Sequence, residues 1–303
     1  MKRKILPILL LFALLLSFAS CSERGGVIIT LPVRAGKDSE GEPVRPFPAD
    51  AVIAAETEAP IIPADFDRYD NAPQDWWDGG VWEGDEDLPY RRPSWPRYQQ
   101  NIIGKYDADC IFMESTEKVI TLTFDSGYYN GYTDKILDIL LEKDVHATFF
   151  LVMDFVDEAP ELVGRMIDEG HTVGNHTVGH AILPNLTIEK QIKELMNAHD
   201  RILEEYGYTM HVMRFPDGKY SERSLALMQA LGYRSSFWSF AYRDYLTDNQ
   251  PDPDEALRTM LDRLHPGAIY VLHDCSSTNT QVLGEFIDRA RALGYSFTDG
   301  YPK

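Results

Sequence analysis

From Val119 onward the chain alternates short apolar runs, rich in β-branched and aromatic residues, with apolar stripes at helical spacing. The first run, V-I-T-L-T-F-D-S-G from Val119 to Gly127, breaks abruptly at Asp125-Ser126-Gly127. That is the pattern of a buried strand ending in a tight turn. A helical stripe comes next (Ile136, Leu137, Leu140, Leu141), with Thr133 as its expected N-cap. Further strands are expected at Ala147–Val152, Thr172–Gly174, Met213–Phe215, Ser235–Phe240, Ala268–Leu272 and Ser296–Thr298. Helices are expected between them, around Leu162–Ile167, Ile188–Leu203, Ser221–Leu231, Ala256–Leu264 and Val282–Leu293. Such alternation requires a mainly parallel sheet, open or closed into a barrel.

The first hundred residues read differently. Met-Lys-Arg-Lys precedes an apolar run from Ile5 to Leu16, too short to span a bilayer comfortably. Phe18-Ala19-Ser20-Cys21 then resembles a bacterial lipobox, in which the cysteine is lipidated and becomes the first mature residue. Residues 1–20 are therefore expected to be a lipoprotein signal peptide. Residues 21–100 are expected to be the lipidated cysteine, an acidic, Pro-rich tether and an aromatic lead-in. That lead-in holds Trp76, Trp77, Trp82 and Trp95, too many aromatics for a linker, so part of it should pack on the folded domain. Residues 101–303 are expected to be the catalytic domain. The protein would then sit on the outer face of the cell membrane, held by its lipid alone and working as a monomer. The net charge of −19 argues against nucleic acid and anionic membrane surfaces as partners. Cys110 and Cys275 are too far apart in sequence to imply a bridge.

The residues just past each strand carry the chemistry. Asp125 ends the first. Asn175-His176 comes after the Thr172–Gly174 strand, with His180 four residues on. Arg214 follows Met213, Asp244 follows the Trp238 stretch, and His273-Asp274 follows Leu272. In folds of this kind the carboxyl ends of the strands form the reactive rim. Taken singly, each residue has an ordinary explanation: a turn aspartate, a loop histidine, a core histidine, a solvated acid. Taken jointly, they gather ionisable groups at one edge. Two neutral imidazoles suit Zn²⁺ and leave positions open for water and substrate. A third protein ligand would have to come from elsewhere, Asp125 being the nearest on the first strand. His146, His171, His199, His211 and His265 fall within or beside the expected elements and read as structural.

Five segments in this order now stand out: T-F-D-S-G (123–127), H-T-V-G-H (176–180), R-F-P-D-G (214–218), W-S-F-A-Y-R-D-Y (238–245) and I-Y-V-L-H (269–273). Over about residues 101–300 they resemble the motifs of the polysaccharide deacetylase family, the NodB-like carbohydrate esterases. D-S-G-Y-Y-N-G-Y-T (125–133) and H-P-G-A-I-Y-V-L-H (265–273) are most similar to the delta-lactam-forming muramic acid de-N-acetylases. The resemblance implies a distorted (β/α) barrel and metal-dependent removal of N-acetyl groups from peptidoglycan, most specifically from N-acetylmuramic acid. It implies a divalent metal, Zn²⁺ or else Co²⁺, held by His176 and His180. It makes Asp125 the general base, paired with Arg214, and His273 the general acid, oriented by Asp244. The backbone N–H of Asp217 would face the oxyanion.

The sequence departs from the family at four places. Ser126 stands where most members have a metal-binding Asp, as in the muramic acid branch, which implies a looser metal site. Ala241 replaces an Asp, also as in that branch. Phe215 replaces a Pro and Tyr245 a Trp, which bears on the shape of the substrate groove. Two other readings stay open: a deacetylase of N-acetylglucosamine or another exported polysaccharide, and a glycan-binding module whose catalysis has decayed.

Overall fold

The computed structural model describes residues 63–76, 82–84, 91–94, 97–106, 108 and 117–298. The expected signal peptide, the lipobox at Cys21, most of the tether, Trp77, Trp95 and Cys110 lie outside the described residues. Among the described residues no helix is long and apolar enough to cross a membrane.

The elements run β1 (Gln74–Asp75), β2 (Trp82–Gly84), β3 (Arg91–Pro93), α1 (Arg97–Lys105), β4 (Val119–Ser126), α2 (Thr133–Glu142), β5 (Thr148–Leu151), α3 (Met153–Glu158), α4 (Pro160–Asp168), β6 (Thr172–Asn175), α5 (Ile188–Tyr206), β7 (Val212–Met213), β8 (Lys219–Tyr220), α6 (Glu222–Ala230), β9 (Arg234–Ser235), α7 (Pro253–Asp262), β10 (Ala268–His273), α8 (Asn279–Ala292) and β11 (Ser296–Phe297). The main sheet has the order β10-β4-β5-β6-β7-β9, with β11 beside the start of β4, and every pairing in it is parallel. Strand β4 explains its own position: Ile120 to Phe124 are all buried. A parallel strand covered on both faces needs such a continuous run rather than an alternating one.

The helices start and stop where local chemistry tells them to. Pro253 opens α7 behind Asp252, whose carboxylate accepts from the Glu255 N–H. Ser221 and Ser224 cap α6 reciprocally. Helix α5 ends on Gly207 at φ 66°. The expected N-cap of α2 is a correction: Tyr132 holds that position without a side-chain bond. Thr133 lies inside the helix, and its hydroxyl donates to Asp274 at 3.0 Å. The short α3 is also an addition, because one and a half turns leave too little periodicity to read.

The expected Ser235–Phe240 strand is a second correction. Only Arg234–Ser235 pairs as a strand, with β7. The chain then changes partner. Ser236 N–H donates to Met213 C=O, whereas Ser239 and Phe240 N–H both donate to Ile269 C=O. Phe240 bridges to Tyr270. This crossing segment carries the curled sheet from its β9 edge back toward β10, giving a distorted, incompletely closed barrel.

Close approach of β5 and β6 depends on Gly174. A Cβ there would lie 2.6 Å from the Phe150 ring and 3.0 Å from Val212. Gly174→Ala is therefore expected to cost about 1–3 kcal/mol through overpacking, read as a lowered thermal midpoint. An unchanged midpoint would show that the strands have room to spare.

Candidate active site

Register brings the rim together. Asp125 on β4 pairs with His273 on β10 on one side and with Phe150 on β5 on the other. Phe150 pairs with Gly174, and Asn175 with Met213. His176 and Arg214 each come one residue later. Four distant segments are thus placed at the same level of the sheet by backbone pairing alone.

Arg214 is fully buried, and its Nη1 donates to Asp125 Oδ1 at 2.7 Å. Ser236 holds the other side of the guanidinium, through its carbonyl at 3.4 Å and its hydroxyl at 3.3 Å. The guanidinium carbon lies 4.2 Å from the centre of the Phe150 ring. Burial pushes the Asp125 carboxyl up, but Arg214, His176 and His273 together hold it below its ordinary range. Asp125 is thereby kept ionised.

His176 is buried and its Nδ1 lies 2.9 Å from the Arg214 carbonyl oxygen. A carbonyl can only accept, so Nδ1 carries the proton and Nε2 the lone pair. Burial pulls the imidazole down to about 4, so it is neutral, the form a metal requires. Its Nε2 stands 3.7 Å from Asp125 Oδ2. His180 is exposed, with its ring centre 4.8 Å from that of His176. The turn between them is bent by two non-glycine residues in the left-handed region, Thr177 at φ 68° and His180 at φ 54°. Such conformations persist only where the surroundings over-determine them. Here Asn175 Oδ1 accepts from Thr177 N–H at 2.8 Å, and Glu194 accepts from Val178 and Gly179 N–H, both at 3.1 Å.

Among the described residues no group of three or more His, Cys, Asp or Glu side chains is placed to hold a metal ion. What is present is an open edge: one buried neutral imidazole with its lone pair set by a backbone carbonyl, a second imidazole beside it, and a carboxylate at 3.7 Å. The two imidazoles are donors of the type a borderline cation takes, and they leave its other positions open.

His273 ends β10. Asp244, fully buried, accepts from His273 Nδ1 at 2.8 Å, from His273 N–H at 2.7 Å and from Asn279 Nδ2 at 2.7 Å. Burial draws the imidazole pKa down, but the Asp244 carboxylate outweighs it and raises it to about 9. The exposed Tyr245 ring lies edge-on to His273, 5.4 Å between centres.

Asp217 lies on the turn that comes after Arg214 and is itself left-handed, at φ 54°. Among the described residues its N–H has no hydrogen-bond acceptor. Phe215 is 1% exposed and belongs to an interior ring cluster with Phe237 and Tyr220. Ser126 is buried too, and donates to Asp274 Oδ2 at 2.8 Å.

Two residues were not singled out by their sequence. Asn279 ties Asp244 to the His273 carbonyl, the latter at 3.0 Å. Asp274 is fully buried under the Ser126 and Thr133 hydroxyls, and burial pushes it up to about 7. The His273-Asp274 dipeptide was visible, but nothing in it distinguished a buried carboxyl from a solvated one. Among the histidines read as structural, His171 accepts from Ala147 N–H, His199 is bonded to the Tyr233 hydroxyl and His265 to the Arg263 carbonyl.

A curled parallel sheet with a carboxylate–guanidinium pair, a two-histidine turn and a carboxylate-backed histidine at its rim defines a carbohydrate esterase of the deacetylase type. Residues 113–236 match the polysaccharide deacetylase family, and the chain belongs to it. The chain is 37% identical over 218 residues to the peptidoglycan-N-acetylmuramic acid deacetylase PdaA of Bacillus subtilis, covering 71% of this chain and 82% of that protein. It is 39% identical, over the same shares, to an uncharacterised 30.6 kDa protein of Geobacillus stearothermophilus. The structure of Bacillus subtilis PdaA, a family 4 carbohydrate esterase, superimposes with a TM-score of 0.69 at 36% identity, covering 76% of this chain and 95% of that one.

Proposed function

We propose that this protein removes N-acetyl groups from peptidoglycan, with N-acetylmuramic acid as the sugar deacetylated. The observation that carries the reading is the pairing of Asp125 with His273 on adjacent strands, one carboxylate held ionised by Arg214 and one imidazole held charged by Asp244. Amide hydrolysis needs a base for the attacking water and an acid for the departing amine, and opposed environments are how one site holds both at neutral pH. The name of the Bacillus subtilis relative points to muramic acid as the substrate.

In this mechanism Asp125 takes a proton from the attacking water. Arg214 keeps that carboxylate charged and fixed. The Asp217 N–H donates to the acetyl oxygen as negative charge develops on it. Protonated His273 gives its proton to the sugar nitrogen as the C–N bond breaks, so that acetate and a free amine leave. His176 through Nε2, with His180, would hold a divalent cation, Zn²⁺ or else Co²⁺, which when bound supplies Lewis-acid polarisation of the carbonyl and acidifies water.

The N-terminal reading belongs to the same proposal. A lipid on Cys21 and a tether through residues 21–100 would hold a monomeric catalytic domain, residues 101–303, outside the bacterial membrane and within reach of the wall. A single acyl chain anchors only marginally, whereas a doubly acylated cysteine holds stably.

Acetate release from purified peptidoglycan, with Zn²⁺ or Co²⁺ added, tests the activity. Mass spectrometry of the product then identifies the sugar. A loss of ~42 Da from muramic acid, one acetyl group replaced by hydrogen, is the expected result. Loss from glucosamine would establish the second deacetylase reading. Glycan binding without acetate release would establish the decayed module.

A further inference from the structure

The lead-in that precedes the deacetylase motifs makes contacts that no catalytic requirement explains. Strand β1 pairs antiparallel with β8, Gln74 opposite Tyr220 and Asp75 opposite Lys219. Lys219 forms an ion pair with Asp75. Trp76 N–H donates to the Gly218 carbonyl at 2.7 Å, and its indole Nε1 donates to the Trp238 carbonyl at 2.9 Å. The Trp76 ring, 3% exposed, lies 4.4 Å from Phe237, whose other neighbours are Phe215 and Tyr220. Gln99 on α1 holds the strap from behind, donating to the Asp75 carbonyl at 2.9 Å.

The β1–β8 pairing, the Asp75–Lys219 ion pair and the Trp76 N–H bond all fall on one turn. Asp217 and Gly218 are consecutive left-handed residues, at φ 54° and 64°. Glycine tolerates that region, but aspartate there is strained and needs external support. Within the turn, Gly218 N–H donates to Phe215 C=O at 2.9 Å. Gly218 is wedged between two tryptophans: a Cβ there would sit 2.7 Å from the Trp238 ring and 2.9 Å from Trp76 Cβ. The turn is therefore packed between the Trp238 ring and the Cβ of Trp76, and the indole anchors Trp76 there, against Phe237 and on the Trp238 carbonyl.

We propose that Trp76 is a positioning residue for catalysis: the Pro63–Trp76 lead-in clamps the 215–220 turn and so aims the Asp217 N–H at the developing oxyanion. The proposal deepens the deacetylase reading and rests on it for the oxyanion, while the clamp itself can be tested without turnover. The Phe at position 215 fits the same logic. Its ring joins a cluster that extends to Trp76 through Phe237, so the turn's first residue and its clamp share one packed unit.

The test compares full-length wild type with Trp76→Ala and Trp76→Phe, by steady-state kinetics on peptidoglycan and by deuterium uptake of residues 215–220. For Trp76→Ala, kcat should fall about 10- to 100-fold with KM within about threefold, as for a retained but misplaced transition-state donor. Uptake across 217–220 should rise while the β4–β5 ladder stays protected. Trp76→Phe keeps a ring on Phe237 but loses the indole donor and part of the packed ring area, so most of the activity and protection should return. Equal loss in both variants, a change confined to KM, or unaltered uptake at 217–220 would each overturn the proposal. If wild type released no acetate, the deacetylase reading would fall, and the uptake comparison would still decide whether Trp76 clamps the turn.

Discussion

Asp125→Asn should reduce kcat about 10²- to 10⁴-fold, the range expected for loss of a positioned general base. Asparagine is nearly isosteric, keeps an acceptor for Arg214 Nη1 and cannot take a proton from water. The fold should survive, since Ser236 continues to hold the guanidinium. Stability should drop nonetheless, because Arg214 is fully buried and loses its carboxylate. The measurement is kcat and KM together with thermal unfolding of the same preparations. Because the water is deprotonated only on the way to the transition state, the loss should appear in kcat and leave KM nearly unchanged. A variant that keeps more than about a tenth of wild-type kcat would remove Asp125 from the role of base.

Asp244→Asn should move the alkaline limit of activity. The carboxylate is what lifts His273 to about 9 against the opposing effect of burial. Without it the imidazole should fall to about 6.5 or below, its ordinary value. At pH 8 the protonated fraction would shrink from about nine-tenths to about 3%, a loss of about 30-fold in rate that acidification recovers. The sign of the stability effect comes from the same shift. A histidine whose folded pKa is raised contributes stability in full below its unfolded pKa and loses it as pH rises through the folded one. The thermal midpoints of wild type and variant should therefore differ most below about pH 6.5 and draw closer above about pH 9. A residual difference should persist at every pH, because Asp244 also receives the His273 N–H and the Asn279 amide. A pH–rate profile with an unmoved alkaline limb would show that Asp244 does not govern His273.

The rim was legible because each of its members ends an apolar run. Asp125, His176, Arg214 and His273 are the first ionisable residues at or just past the carboxyl ends of strands, and parallel pairing then leaves them little choice of place. Fold class was readable for the same reason. Partnerships set only by tertiary contact were not readable. Thr133 looks like a helix cap, yet its hydroxyl goes to Asp274, 141 residues away. Asn279 sits in a run of small polar residues with no pattern, and its role depends on the first turn of α8 passing behind Asp244. Phe215 stands out in its motif only as a replacement for Pro, and the motif does not show that its ring turns into the interior, where Phe237 and Tyr220 receive it. The 235–240 segment has strand composition but changes neighbour midway, which composition cannot register.

The side-by-side placement of β4 and β10 has a bearing on how the enzyme comes into being. The two strands are the first and the last long members of the ladder, and the Ser126–Asp274 bond at their carboxyl ends spans 148 positions of chain. A nascent or prematurely truncated polypeptide can therefore own the base without its proton donor. Acid and base meet only when β10 seats itself against β4, and a product that stops short of His273 lacks the acid altogether.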